Sequence, residues 1–283
     1  MFNFRLKNAK ILQFVIDNAG ISLLNRDPHH VSVQEFLGNP ETAFKAMGNF
    51  LQSNRLNKLK GELILTPEYY RLLLMDTPPL PPEEYKLAAP WLIKDFIDYP
   101  PEQAAIDIFP VAVKAGQAGK MYVVVSPLAD LIPLVNYAKA EGIIIEKINI
   151  TELVFSIGMS IEPAVQALLY GNAAQRLRLL IIENQEVCWL RDLDFEWNGQ
   201  ILIDSDREHL GFELQRSFDY YQAEIGLVAP TQLKFLPALY EQKDLVAYLS
   251  ELTTIPIVPL AESPVTSLRQ LVANYLLSLD KGS

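Results

Sequence analysis

The chain has 283 residues, half of them apolar and a fifth charged, so it encodes a folded protein of the size at which one hydrophobic core divides into lobes. A formal net charge of −10 argues against a nucleic-acid backbone or an anionic membrane surface as the main ligand. The single cysteine, Cys188, excludes an internal disulfide framework and fits a reducing compartment, and no apolar run is long enough to read as a membrane span.

The N-terminal stretch lacks the continuous apolar core of a signal peptide, so a cytoplasmic protein is expected, reaching a membrane only through a partner. FNFRL (2–6) reads as a strand, KNAK (7–10) as a polar turn, ILQFVID (11–17) as a second strand and NAG as another turn. A loop carrying His29 and His30 then leads to the helix NPETAFKAMGNFLQSNRL. Asn39 suits its cap and Pro40 its first turn, while Phe44, Met47, Phe50 and Leu51 form one apolar stripe. ELILT (62–66) is a short buried strand.

A different unit follows. YYRLLLMDTP (69–78) is strand-like, PPEEYKLAAPWLIKDFID helical, AAIDIFPVAV (104–113) and MYVVVS (121–126) strands again, with KAGQAGK as a turn. Pro81 and Pro82 begin the helix where a missing N–H costs nothing, Glu83 and Glu84 meet its positive end, and Pro100 and Pro101 stop it. Tyr85, Ala88, Ala89, Leu92, Ile93 and Phe96 are expected on the sheet, with a kink or two abutting pieces at Pro90.

Helix PLADLIPLVNYAKAEG, strand IIIEKINI and the short helix TELVFSIG come next. A second strand-rich block comprises VQALLYG, RLRLLIIEN, EVCWLRDLDF and ILIDSD, with turns at Asn184-Gln185 and Asn198-Gly199. Helix REHLGFELQRSFDYYQAEIG, strand LKFLP, helix KDLVAYLSEL, strand IPIVPL and a helix over about 264–280 complete the chain. Two blocks, each opening on meandering strands and then alternating helix with strand, suggest a duplicated α/β design.

Three stretches carry a family resemblance. PEYYRLLLMDTPPLPPEEYKLAAPWLIKDFIDYPPEQAAIDIFP, ELQRSFDYYQ (213–222) and KINITEL (147–153) resemble the MshI-like and PilM-like biogenesis proteins of type IV pili, nearest the branch named for the mannose-sensitive haemagglutinin (MSHA) pilus. The resemblance implies an α/β, two-lobed actin-like (ribonuclease H-like) fold. It places the first lobe at 1–66 and 127–163, an inserted strand-helix-strand-strand (SHS2-like) subdomain at 67–126, and the second lobe at 164–283. It further implies a cytoplasmic scaffold at the inner membrane that binds the N-terminal tail of a PilN-like single-span protein and joins the pilus assembly machinery.

Members of that family can carry ATP, held by a glycine-containing hairpin turn from each lobe, an acidic residue for a metal ion and a Gly-Gly turn against adenosine. Here KNAK is taken as the first hairpin turn and has neither aspartate nor glycine; LYGNAAQR, with Gly171, stands for the second; LPALYEQKD has no glycine for the third. The expectation is therefore a degenerate nucleotide site, no ATP or magnesium cofactor, and no ATP hydrolysis. An ATP-binding ATPase or nucleotide-gated switch is the alternative, and a sugar-kinase-like enzyme on the same fold ranks behind it.

Other constellations have plainer readings. Asp204-Ser-Asp206-Arg-Glu208 begins like a calcium loop but has His209 and Gln215 where glycine and glutamate belong, so a capped helix start is expected. His29 and His30 lack a third metal ligand nearby, and Cys188 between Val187 and Trp189 reads as a buried, inert thiol. Asp192, Asp194 and Glu196 alternate along a strand and read as a solvated face; Arg216 and Asp219 read as a surface pair. Leu214, Phe218 and Tyr221 form a core stripe, leaving Tyr220 to reach the lobe interface. Trp91 either packs on its own sheet or lines a groove between the insert and the first lobe, where an extended tail adds to a strand edge. Trp91, Lys94 and Tyr220 are the candidate partner-binding residues.

Overall fold

A computed structural model of the chain describes residues 11–27, 30–56, 59–111, 118–158, 165–171, 176–225, 228–261 and 267–281. The expected strand at 2–6, the turn at 7–10, the end of the expected strand at 112–113, residues 114–117 of the KAGQAGK turn (114–120) and His29 lie outside these residues, as does the side chain of His30.

The first half opens with β1 (Ile11–Asp17), β2 (Gly20–Asp27), β3 (His30–Leu37), α1 (Pro40–Ser53) and β4 (Leu59–Leu65). An inserted unit follows: β5 (Arg71–Asp76), α2 (Tyr85–Ile93), β6 (Ala104–Val111) and β7 (Lys120–Pro127). The chain then returns with α3 (Leu128–Ala140), β8 (Ile143–Ile150) and α4 (Thr151–Gly158). The second half has β9 (Gln166–Gly171), β10 (Arg176–Glu183), β11 (Glu186–Glu196), α5 (Asp204–Tyr220), β12 (Gln232–Phe235), α6 (Pro237–Tyr240), α7 (Lys243–Thr253), β13 (Ile257–Pro259) and α8 (Leu268–Lys281).

The two five-stranded sheets, β3-β2-β1-β4-β8 and β11-β10-β9-β12-β13, have the same order, and the inserted sheet runs β5-β7-β6. In each large sheet an antiparallel meander pairs through its first strand with two parallel strands, β4 and β8 or β12 and β13. The duplication inferred from the sequence is thus a duplication of topology.

Strand alternation explains the layers. Phe14 and Ile16 of β1 point toward α1 and α3, meeting Phe44, Met47, Leu134 and Ala138, while Val15 points the other way. In the second sheet Leu169 packs with α5 and α7, whereas Leu168 and Tyr170 point toward the first half. Between the sheets lie α4 and α8, whose Phe155, Leu271, Val272 and Tyr275 join Val15, Ile64, Leu168, Tyr170 and Leu180 in one buried cluster. Strands covered on both faces read as continuous apolar runs, which is why β1, β4, β9 and β10 were legible.

Several expectations change. Where a loop was expected before α1, β2 and β3 pair antiparallel from Gly20↔Leu37 to Asp27↔His30. β2 hides there because Leu23 and Leu24 are both buried, on opposite faces, so the strand does not alternate. Residues 201–203 form no strand; the Asp206 carboxylate accepts from the Ile203 N–H at 3.3 Å and starts α5 instead. The bracketed helix is shorter than its proline limits: a 3-10 turn at Pro82–Glu84 leads into α2, which ends three residues after Pro90. Pro90 has no N–H for the Lys86 carbonyl, and the chain beyond Ile93 continues as turns to Pro100. Phe96, expected on the sheet, is consequently exposed.

Other local readings hold. The Asn39 side chain accepts from the Thr42 N–H at 3.0 Å at the start of α1. Asn184 and Gln185 both take positive φ (51° and 70°) in the tight turn between β10 and β11. Leu214, Phe218 and Tyr221 are buried as a stripe, and the helical turn after α5, Tyr221–Ile225, widens to a π-helix.

Candidate functional site

The first of the two antiparallel pairs in this sheet is β1–β2, and its turn is Asn18-Ala19, flanked by Asp17 and Gly20. KNAK lies outside the described residues, and among those described the first hairpin turn has both an aspartate and a glycine beside it. The sequence offered two successive strand–turn units, and only pairing with the parallel β4 singles out Ile11–Asp17 as the first strand of the described sheet. Gly20 is required by packing, since a Cβ there would lie 2.4 Å from the Phe36 carbonyl oxygen.

The Asp17 carboxylate is already engaged. One oxygen accepts from the Ala19 N–H at 2.8 Å; the other stands 3.1 Å from Nε of Arg269, on α8. Nη1 of the same guanidinium donates to Ser22 Oγ at 2.7 Å and to the Glu35 carboxylate. Arg269 is buried, so one cation from the last helix neutralises acids on β1 and β3 of the first sheet. Of the other two elements of a nucleotide site, residues 172–175 of the β9–β10 turn lie outside the described residues. The segment after β12 runs through α6 into α7 without a glycine.

A second network joins the halves. Glu152, on α4, has no exposed surface. Its Oε2 accepts from Tyr70 OH at 2.5 Å, and its Oε1 from Tyr170 OH at 2.8 Å and Arg178 Nη1 at 2.7 Å. Arg178 Nε and Nη2 grip the two oxygens of Asp192 at 2.5 and 3.1 Å, a bidentate pair. Burial, and then Glu152, hold the Tyr70 and Tyr170 phenols well above their ordinary range, so both are protonated donors. Nearby, Tyr122 of β7 accepts from the Leu190 N–H at 2.7 Å and ties the inserted sheet to β11. The sequence pointed to two of these positions only as parts of resembling segments: Tyr70 in PEYYRLLL and Glu152 in KINITEL. Asp192, Asp194 and Glu196 are all exposed, the solvated face expected of them, and Asp192 is in addition the outer partner of Arg178.

The proposed partner-binding residues separate into two places. Ala89 and Ile93 anchor α2 on the inserted sheet, and the opposite face carries Leu87 and Trp91, each 77% exposed, with Lys94 exposed at its end. Of the two readings of Trp91, packing on its own sheet is overturned. Tyr220 lies elsewhere: its ring stacks on Trp189 of β11 at 5.6 Å within the second lobe, rather than at the lobe interface. The Trp189 ring, buried beside Tyr221, supplies the platform.

The remaining constellations are structural. Asp204 pairs with Arg207 and Asp206 caps α5, the capped helix start expected there. Arg216 pairs with Glu213 at 3.7 Å, and Asp219 accepts from Gln215; the expected Arg216–Asp219 pair is replaced because Glu213 is the acid that turns inward, where Arg191 also reaches it at 3.1 Å. The Cys188 thiol is buried and pushed up to about 12 by burial, which suppresses the thiolate. Among the described residues, no group of three or more His, Cys, Asp or Glu is arranged to hold a metal ion, and no helix is long and apolar enough to cross a membrane.

Two matched five-stranded sheets with helices between them define the actin-like ATPase fold, and the chain has that fold. No family model matches the sequence, and no curated protein does. The similarity is to solved structures. A PilM–PilN type IV pilus biogenesis complex matches with a TM-score of 0.66 at 15% identity, over 95% of this chain and 98% of that one. The cytoplasmic domain of EpsL, an inner-membrane component of the Vibrio cholerae type II secretion system, matches with a TM-score of 0.52 at 15% identity, over 95% and 94%. A Bacteroides thetaiotaomicron protein of actin-like ATPase fold and unknown function matches with a TM-score of 0.53 at 11% identity, over 95% of each chain.

Proposed function

We propose that this protein is a non-catalytic scaffold of type IV pilus biogenesis, of the MSHA kind, which captures the N-terminal cytoplasmic tail of a PilN-like inner-membrane protein. It works in the cytoplasm and reaches the inner membrane through that partner. The observation that carries the reading is the outward apolar face of α2: two large side chains, Leu87 and Trp91, remain in water while the small and branched residues Ala89 and Ile93 hold the helix down. Exposed clusters of this kind mark interaction sites. The similarity to a PilM–PilN complex and to the EpsL cytoplasmic domain supports the same role. The lack of catalysis is supported by the engagement of Asp17 with Arg269 and by the glycine-free segment after β12.

One observation favours a second reading. Asp17 and Gly20 do flank a hairpin turn in the first lobe, the place where an actin-like ATPase holds phosphate and metal. In that reading the protein is a nucleotide-gated switch on the same scaffold.

Calorimetric titration separates the two. Tail peptide of the membrane partner is added to the purified protein with and without Mg-ATP, and Mg-ATP is added alone. The scaffold reading expects tail binding that is indifferent to nucleotide and no heat from Mg-ATP. Micromolar Mg-ATP binding establishes the switch instead, and absence of tail binding in both conditions removes the scaffold.

A further inference from the structure

The region around α2 combines a narrow apolar ridge with a strongly acidic border. Leu87 and Trp91 are one helical turn apart, and Lys94 falls on the same side. Glu83 and Glu84 precede the ridge; Asp95, Asp98 and Glu102 follow it, and all five are exposed. The cations near these acids are Lys86, turned to Asp107 at 3.0 Å, Arg71, 3.6 Å from Asp98, and Lys94. The ridge therefore sits in a field of negative charge.

We infer that the ridge docks a short amphipathic helix of the partner, with bulky apolar side chains on one face and lysine or arginine on the flanks. This rests on the scaffold reading and specifies the chemistry of the captured segment. The backbone of α2 is hydrogen-bonded within its own helix, so it offers no open ladder to an extended strand. A strand would lose the main-chain bonds that give strand addition its affinity. A facing helix has side chains spaced three and four residues apart, about 5–6 Å between Cβ atoms, which matches the spacing of Leu87 and Trp91. Basic flanks meet Glu83, Glu84, Asp95 and Glu102, Asp98 being paired with Arg71, and Lys94 supplies one donor at the end of the ridge. Charge of this kind sets the on-rate and the choice of partner more than it sets raw affinity.

The probes are two labelled synthetic amphipathic helices, one built of leucine, alanine and lysine and the other with glutamate in place of lysine. Fluorescence anisotropy follows their binding to the full chain. The lysine peptide is expected to bind at least tenfold more tightly than the glutamate peptide, to gain helical circular dichroism on binding, and to weaken as salt rises. Trp91→Ser, Leu87→Ser and the triple change Glu83→Lys/Glu84→Lys/Asp95→Lys each weaken it at least tenfold. Trp91 and Leu87 are exposed, so their serine variants keep the wild-type melting temperature; the triple change also places lysine at the helix start, so its binding is compared at a temperature where circular dichroism shows it folded. Equal binding of both peptides, binding that the ridge variants leave within twofold, or self-association of the chain that Trp91→Ser abolishes, overturns the inference. So does binding to zwitterionic lipid vesicles that matches the lysine peptide. The membrane partner's tail, run in parallel, separates the two proposals. Tail binding that ignores the ridge variants removes the ridge and leaves the scaffold, whereas ridge-dependent peptide binding without tail binding removes the named partner and leaves the ridge.

Discussion

Arg178 on β10 donates at 2.7 Å to the fully buried carboxylate of Glu152 on α4, and this pair, with Tyr70 and Tyr170 on the same carboxylate, links the two halves of the fold. A carboxylate without solvent is tolerated only when its lone pairs are answered, and here they are answered by two phenols and a guanidinium.

Removing one side of that pair leaves the other charge buried and unpaired. Arg178→Met or Glu152→Ala is expected to lower stability by about 3–5 kcal/mol, read by urea unfolding. Tyr70→Phe deletes one neutral donor and is expected to lower it by about 1–3 kcal/mol. The double variant Glu152→Leu/Arg178→Met should lose much less than the sum of its parts. Additive losses would show that the two groups do not interact.

The Arg269 cluster predicts a similar effect at a second place. Arg269→Met strands Asp17 and Glu35, and the loss should fall at the lower end of about 3–5 kcal/mol because Glu35 is partly exposed. Proteolysis at the β1–β2 hairpin should rise in parallel. If α8 stays protected from hydrogen exchange and the melting temperature is unchanged, Arg269 does not hold α8 to the first sheet.

Buried phenols set the alkaline limit. Tyr70 and Tyr170 are raised above the ordinary phenol value of 10.0, by burial first and Glu152 second. Their folded pKa exceeds the unfolded one, so the stability tied to their neutral form is fully present below pH 10 and is lost as pH rises beyond it, where the unfolded chain ionises first. Absorbance at 295 nm should therefore show a late tyrosine fraction that titrates together with loss of far-ultraviolet circular dichroism. Smooth titration of every tyrosine in a folded protein would contradict this.

Trp91 and Tyr220 differ in what they hold. Trp91→Ala should leave stability within about 0.5 kcal/mol, as befits an exposed side chain, while weakening partner binding. Tyr220→Ala removes a ring stacked on Trp189 and should lose about 0.5–1.5 kcal/mol. A Trp91 variant that melts many degrees lower would place that ring in a core.

The Cys188 thiol, raised to about 12 by burial, should react with a thiol reagent at pH 8 only after unfolding. Rapid labelling of the native protein would mean that β11 opens locally.

The sequence by itself determined what is local or periodic. Continuous apolar runs marked β1, β4, β9 and β10; Asn39 and Pro40 marked the start of α1; Asn184-Gln185 marked a tight turn; and the resembling segments pointed to the actin-like fold. Tertiary structure alone decided the rest. Residues 20–27 and 30–37 became paired strands because β1 was there to pair with β2, while residues 201–203 found no neighbouring strand and fed α5. The first hairpin turn of the described residues is 18–19, because register with β4, a partner some fifty residues away, fixes Ile11–Asp17 as the central strand of that sheet. Glu152, Arg178 and Arg269 were invisible as a set for the same reason: a charge advertises nothing about its burial until distant segments close around it, and only the folded geometry determines which acid each arginine must neutralise.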